Sequence, residues 1–342
     1  MSWISVWNAK GDRVVHDAEA NASSSSARVM TSFLIEGTLW ANPDKPVRIW
    51  AGQTGERAFQ VYRMPNGALQ FLHRGLSVQT DPDMFGPKDG FQIIYTASAN
   101  PRESRIDLFN AMTLERRIIT PYQGESHCLD DFLPSKPEFF KPMSVVAIAD
   151  HNLSCGNLPA YGKGSPINTP VGPIAVEDLR PGMIIEGVVS GPSRVRWCGH
   201  IDVLGIGAMA PLLLRAPYFG LSRDVHVAPM TRMLMAGNEV EYLTGKERVF
   251  ARMGDMINRV SVIRDQSQPV RRMYQIMTDD HDCLSIGRCN METSLLGDIL
   301  TARSDRLARP IEDDLEPVFE TIDRATAQSL QAVQVEARRV AA

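Results

Sequence analysis

The chain has 342 residues, with 40 acidic and 36 basic side chains and a formal charge of −4 at pH 7. That balance excludes a general binder of nucleic-acid backbones. With no run of about 18 apolar residues, a membrane-spanning helix is excluded too. The length predicts about two domains, each able to bury a core without disulfide staples.

The opening MSWISVWNAKGDRVV has neither a basic n-region nor an apolar h-region, so no cleaved signal peptide is expected. This leaves the cytoplasm, or export by a route independent of such a peptide. A Ser/Ala-rich loop follows over 17–28. In TSFLIEGTLW, Phe33, Ile35 and Leu39 alternate with Ser32, Glu36 and Thr38, the period of a half-buried strand. PVRIWAG, AFQVYRM, ALQFLHRG, GFQIIYTAS, SRIDLFNA, LERRIIT and SVVAIAD are further short strand signals. Pro65-Asn66-Gly67 and Asp89-Gly90 supply the turn chemistry between them. Seven or eight strands without a long helix predict an antiparallel β-sandwich over 1–150, with Trp40, Trp50, Phe71 and Tyr95 in its core.

Gly, Pro and Asn crowd HNLSCGNLPAYGKGSP, which marks a linker over 151–163. Short strands and turns then continue to about Gly297. In EDLRPGM, Pro181-Gly182 turns the chain between strands, and Trp197 is expected to anchor a small β core. Over the last 45 residues, Phe319, Ile322, Thr326, Leu330, Val333, Ala337 and Val340 recur at threes and fours, predicting an amphipathic helix. It either docks on its own domain or provides a contact for a homo-oligomer or larger assembly.

The cysteines, Cys128, Cys155, Cys198, Cys283 and Cys289, are odd in number and form no CxxC pair. Buried reduced thiols are expected, with no metal site and no cofactor.

Six blocks in series carry a resemblance. They are the Gly164–Gly172 opening, Val176–Met183 (VEDLRPGM), Val195–Gly199 (VRWCG), Arg223–Arg232 (RDVHVAPMTR), Asp279–Asp282 and Glu292–Gly297. Together they resemble the Hint (hedgehog/intein) domain of the alphaproteobacterial type, across residues ~155–300. The domain itself is placed at 164–300, with a helical extension over 301–342. The resemblance implies self-cleavage, in which a Cys or Ser attacks its own preceding carbonyl and a His protonates the departing amine.

This chain departs from that pattern at both groups. The nucleophile's position, four residues before Gly164, is Ala160. In the block that normally reads Ser/Thr-Pro-x-His-Arg, Ala228 replaces the hydroxyl and Thr231 the acid. Cys155 lies five residues upstream of the nucleophile position, and His226 shares a strand face with Ala228. Asp279 and His281 match the family's Asp-x-His, either to tune proton transfer or to cap a strand turn. No working catalytic set is expected, and Cys155, Ala160, His226, Ala228, Thr231, Asp279 and His281 are the positions that decide it.

Residues 1–150 also resemble, by strand pattern alone, laminin-G/concanavalin-like lectin sandwiches. That resemblance implies carbohydrate contacts from loops, for which Trp50, Asp81, Asp83, Asp89, Asn100 and Arg102 are the candidates. The fold expected is therefore mostly β: a lectin-like sandwich, an all-β Hint-like domain and a C-terminal amphipathic helix. The expected function is non-catalytic binding of a glycan or protein partner, with the degenerate Hint domain as an interaction module. Two alternatives stay open: autoprocessing near Ser154-Cys155, and a structural subunit of a larger assembly or particle.

Overall fold

The computed structural model describes residues 3–16, 30–53, 55–98, 104–113, 115–120, 131–133, 143–151, 153, 158–295 and 319–340. The chain is mostly β and divides into two units, Met1–Gly156 and Asn157–Ala342. No helix among the described residues is long and apolar enough to cross a membrane.

The first unit holds β1 (Trp3–Asn8), β2 (Arg13–His16), β3 (Met30–Thr38), β4 (Val47–Ala51), β5 (Gln60–Arg63) and β6 (Leu69–His73). It continues with β7 (Leu76–Gln79), β8 (Gly90–Ser98), β9 (Arg105–Asn110), β10 (Arg116–Ile119) and β11 (Met143–Ala149). A seven-stranded sheet runs β10-β9-β8-β3-β11-β1-β2, and a four-stranded sheet runs β4-β5-β6-β7. Every pairing is antiparallel. Phe33, Ile35, Phe91, Ile93 and Tyr95 from the larger sheet meet Ile49, Trp50, Val61, Leu69 and Phe71 from the smaller in one core. The expected sandwich is therefore present. The β5–β6 turn forms at Pro65-Asn66-Gly67, where Gly67 takes the left-handed φ of 90° that a side chain resists.

Of the four aromatic residues expected in this core, Trp50, Phe71 and Tyr95 are in it and Trp40 is not. Trp40 is 53% exposed, outside the core. Trp50 is 1% exposed, as expected of a core residue, which removes it as a loop contact for a ligand, and its indole N–H donates to the Phe132 carbonyl at 2.8 Å. A register shift between Arg48 and Trp50 explains its burial: the extra residue turns both Ile49 and Trp50 inward.

The second unit opens with β12 (Tyr161–Gly162), β13 (Pro166–Ile167), β14 (Ile174–Ala175), β15 (Ile184–Glu186), β16 (Pro192–Leu204), β17 (Leu212–Leu214) and β18 (Val225–Val227). Then come β19 (Arg232–Ala236), helix α1 (Asn238–Thr244), β20 (Arg248–Arg252), β21 (Val262–Arg264), β22 (Val270–Thr278), β23 (Cys283–Ile286), β24 (Cys289–Glu292) and helix α2 (Arg324–Val340). Its sheets run β15-β16-β22-β12-β18-β17-β21 and β14-β13-β23-β24-β19-β20. Tyr161, Val227, Val249, Ile276, Leu284 and Met291 share its core.

Trp197 is not the anchor expected of it. A register shift between Val195 and Trp197 takes it off the inward face, and its ring lies over Gly199, where a Cβ would sit 2.4 Å from Cζ2. The C-terminal helix docks on its own unit. Ala327 and Leu330 enter the core, the Gln331 amide donates to Ser261 Oγ at 3.0 Å, and Arg324 pairs with Asp255 at 2.8 Å. Just before it, Phe250 N–H donates to Glu320 O and Ile322 N–H to Phe250 O, which ties the approach to β20.

Candidate functional site

Ala160, the residue four before Gly164, lies in the second unit immediately before β12. Tyr161 pairs with Val227 of β18, and this register sets Ala160 beside Ala228. The Ala228 N–H donates to the Ala160 carbonyl at 2.9 Å. The chain then turns through Pro229 and Met230, with Thr231 N–H bonded to Ala228 O at 3.0 Å, and Thr231 comes back against residue 160. Its hydroxyl accepts the Ala160 N–H at 3.2 Å and donates to the Ala160 carbonyl at 3.4 Å. One bond upstream, Ser294 Oγ donates to the Pro159 carbonyl at 3.3 Å.

Ala160, Ala228 and Thr231 are thus brought together, and all three are buried. Val203 and Met273, with Ile201, pack around the two methyl groups. Two hydroxyls hold the Pro159–Ala160 peptide, one at each end. Among the described residues no thiol or imidazole is hydrogen-bonded to it. A hydroxyl at position 231 can satisfy the amide, but it is too weak an acid to protonate a leaving amine near neutral pH.

The other candidates point elsewhere. His226 lies on the same face of its sheet as Ala228, over Gly162, where an added Cβ would meet His226 Cβ at 2.6 Å. Its Nε2 is 2.7 Å from Asp265 Oδ2, which also takes Arg271 Nη2 at 2.6 Å. Burial pushes the imidazole down, against the upward pull of Asp265, so His226 is neutral at pH 7. Although burial pushes Asp265 up, the Ser267 hydroxyl and amide, His226 and Arg271 bring it down to about 2. Asp279 is exposed and pairs with Arg196 at 2.6 Å.

His281, two residues on, is nine-tenths buried. Its Nε2 is 3.6 Å from Glu292 Oε2, and neither ring nitrogen has a hydrogen-bond partner among the described residues. Its neighbours are Glu292 and Phe250, so Asp279 and His281 form no pair at the Ala160 peptide. Cys155 lies outside the described residues. Burial pushes the thiols of Cys198, Cys283 and Cys289 up, the last to about 12, which removes thiolate character from all three.

Sequence reasoning missed the groups that organise this region. Glu292 is fully buried; its Oε1 accepts the Arg232 N–H at 2.6 Å and its Oε2 the Arg232 Nε at 2.8 Å. Tyr161 Oη donates to the Glu292 carbonyl, and so joins the β24 end to β12. Both charged partners stand inside recognised blocks, the last residue of one and the first of another. Buried Asp282 accepts N–H bonds from Val188, Val189, Ser190 and Cys283, which fixes a loop.

Four of the six lectin-type candidates lie among the described residues. Trp50 is core. Asp81 and Asp83 flank Pro82 on the surface, with Asp81 paired to Arg117. Asp89 is spent on Gly86 N–H and Asn110 Nδ2, each at 2.7 Å. Asn100 and Arg102 lie outside the described residues. Among the described residues no group of three or more His, Cys, Asp or Glu side chains could hold a metal ion.

Residues 159–298 match the Hint domain family. No curated protein matches the chain. Among solved structures, the carbohydrate-binding module CBM40 of the Ruminococcus gnavus IT-sialidase is similar at 11% identity. It covers 45% of this chain and 90% of its own, with a TM-score of 0.26. Sheep galectin-11, in complex with glycerol, is similar at 13% identity, covering 36% of this chain and 84% of its own, with a TM-score of 0.21. The binding domain of botulinum neurotoxin serotype D covers 78% of each chain at 9% identity, with a TM-score of 0.26.

Proposed function

We propose that the chain is a non-catalytic binding protein in which the Hint domain holds its own leading peptide and does not cut it. The observation that carries this is the Ala160–Thr231 contact. A methyl stands where the nucleophile belongs, and the scissile N–H is bonded to a hydroxyl that cannot serve as the acid. Ser294 on the Pro159 carbonyl keeps half of a processing site, a donor at the oxygen, without the attacking group that would use it. In this reading the sandwich recognises a glycan or protein partner, and the Hint fold is a rigid module beside it.

Intact mass spectrometry tests the proposal. The purified chain is incubated for days at pH 7 to 8, with and without dithiothreitol or hydroxylamine, alongside Cys155→Ala. One uncleaved species throughout is the expected result. A fragment ending between residues 154 and 159, formed by the native chain and absent from Cys155→Ala, would overturn it in favour of autoprocessing.

A further inference from the structure

The four-stranded sheet has one face in the core and one outside it. Val61 and Phe71 are wholly buried on the inner face beside Trp50. On the outer face the register aligns one residue from each strand: Arg48 opposite Tyr62, Tyr62 opposite Gln70, and Gln70 opposite Gln79. At about 4.8 Å per strand, the row spans ~14 Å. A second row, Ala51, Gln60, Leu72 and Ser77, runs beside it. The four strands, VRIWA, QVYR, LQFLH and LSVQ, contain no Asp, Glu or Lys.

Such a face is unusual for solvent-side residues, which are normally rich in charge. Its groups are also pre-set. Tyr62 Oη donates to Gln60 Oε1 at 2.8 Å, which fixes the phenol, and Gln70 Nε2 donates to Ser77 Oγ at 3.1 Å, which leaves its Oε1 open. The Gln79 amide and the Arg48 guanidinium are exposed and have no hydrogen-bond or ion-pair partner among the described residues.

We infer that this row is a saccharide-binding site, with Tyr62 as the platform for the C–H face of a sugar ring, Gln70 and Gln79 as the partners of its hydroxyls, and Arg48 as the contact for a carboxylate-bearing sugar. A side-chain amide offers paired donor and acceptor atoms, which match neighbouring hydroxyls of a pyranose. A fixed aromatic ring supplies contact area with little ordering cost. A nucleic acid would require many cations where this face has one. A protein partner would require a buried apolar anchor, and Leu72 is the one large aliphatic residue in the two rows. The inference rests on the sandwich as the recognition half of the protein and names the face that does the work.

A printed array of neutral and carboxylate-bearing oligosaccharides, probed with the full chain, identifies hits, and calorimetry then compares variants on the tightest one. Tyr62→Ala and Gln70→Ala should each weaken binding about tenfold or more, with melting curves unchanged for Gln70→Ala. Tyr62→Phe, which keeps the ring, should retain most of it, and Arg48→Gln should remove any preference for carboxylate-bearing over neutral sugars. Hits that survive both Tyr62→Ala and Gln70→Ala would overturn this face while leaving glycan recognition in place. An array with no hits would overturn both the face and the glycan reading, and leave the uncleaved Hint domain untouched.

Discussion

Thr231→Val is the sharpest test of the closed site. Valine keeps the shape of threonine and removes one oxygen, the atom that accepts the Ala160 N–H at 3.2 Å and donates to the Ala160 carbonyl at 3.4 Å. The carbonyl keeps a partner in Ala228 N–H at 2.9 Å, whereas the buried N–H is left with none. An orphaned buried donor costs ~1–3 kcal/mol, so a loss of about 2 kcal/mol is expected. With a urea dependence of about 3 kcal/mol per molar for a unit of this size, the midpoint should fall by ~0.7 M. Trp197 is the one tryptophan in residues 157–342. Its 5-fluorotryptophan resonance, assigned with Trp197→Phe, therefore follows the second unit alone. Thr231→Ser keeps the hydroxyl and loses a methyl, and should cost about 1 kcal/mol. A valine variant with an unchanged midpoint would refute the contact and, with it, the clamp.

Glu292→Gln should be more costly. It leaves Arg232, itself 15% exposed, without its countercharge, and breaking such a buried pair costs ~3–5 kcal/mol; a loss below about 1 kcal/mol in urea unfolding would contradict the pairing. Gly162→Ala sets a Cβ 2.6 Å from His226 Cβ, on a neighbouring strand that cannot swing aside, so a loss of ~1–3 kcal/mol is expected, read from the same resonance. Acid should destabilise the His226–Asp265 pair in two stages. Folded His226 is held below its ordinary value of 6.5, so the unfolded chain takes up the proton first and stability falls as pH drops through 6.5. Asp265 is held at about 2 against an ordinary 3.8, so its contribution is present above pH 4 and lost between about 4 and 2. Urea midpoints at pH 7, 5 and 3 should show a smaller loss below pH 4 for Asp265→Asn than for the native chain; equal losses would separate Asp265 from the effect.

The legible parts of this fold are those set by local pattern. Alternation marks β5 and β6, and the Pro65-Asn66-Gly67 turn joins them as its chemistry requires, whereas β3, expected to be half-buried, is buried on both faces, with Ser32, Leu34 and Glu36 inside as well as Phe33 and Ile35. β1 escapes because Trp3 to Trp7 are buried on both faces and do not alternate. Trp197 misleads because a register shift between Val195 and Trp197 reverses the inside–outside pattern, and nothing in the sequence announces a bulge. The site divides the same way. Spacing from Gly164 locates Ala160, and the Ala-Pro-Met-Thr-Arg block locates Thr231, but their bond crosses 71 residues and depends on the β12–β18 register. Asp265 lies 39 residues from His226 and meets it only because β21 and β18 both flank β17. Proximity in sequence is no guide in the other direction either, since Asp279 faces solvent and His281 faces Glu292.

The two hydroxyls on the Pro159–Ala160 peptide bear on its reactivity. Ser294 donates to the carbonyl oxygen, and Thr231 accepts from the amide nitrogen's hydrogen. Both bonds favour the resonance form with negative oxygen, positive nitrogen and a double C–N bond, the form that makes an amide planar and inert. In a processing site the oxygen donor becomes useful once a nucleophile adds to the carbon, because negative charge then collects on that oxygen. The nitrogen must also gain a proton, which an acceptor such as Thr231 Oγ1 opposes. On the proposed reading, a methyl at residue 160 leaves the same two contacts acting only on the ground state, where they make the peptide harder to break. On that reading Ala160, Ala228 and Thr231 act together. Two methyls close the volume with Val203 and Met273, and one hydroxyl satisfies the backbone, so on the proposed reading these three positions serve as packing and as a brace on the Pro159–Ala160 bond.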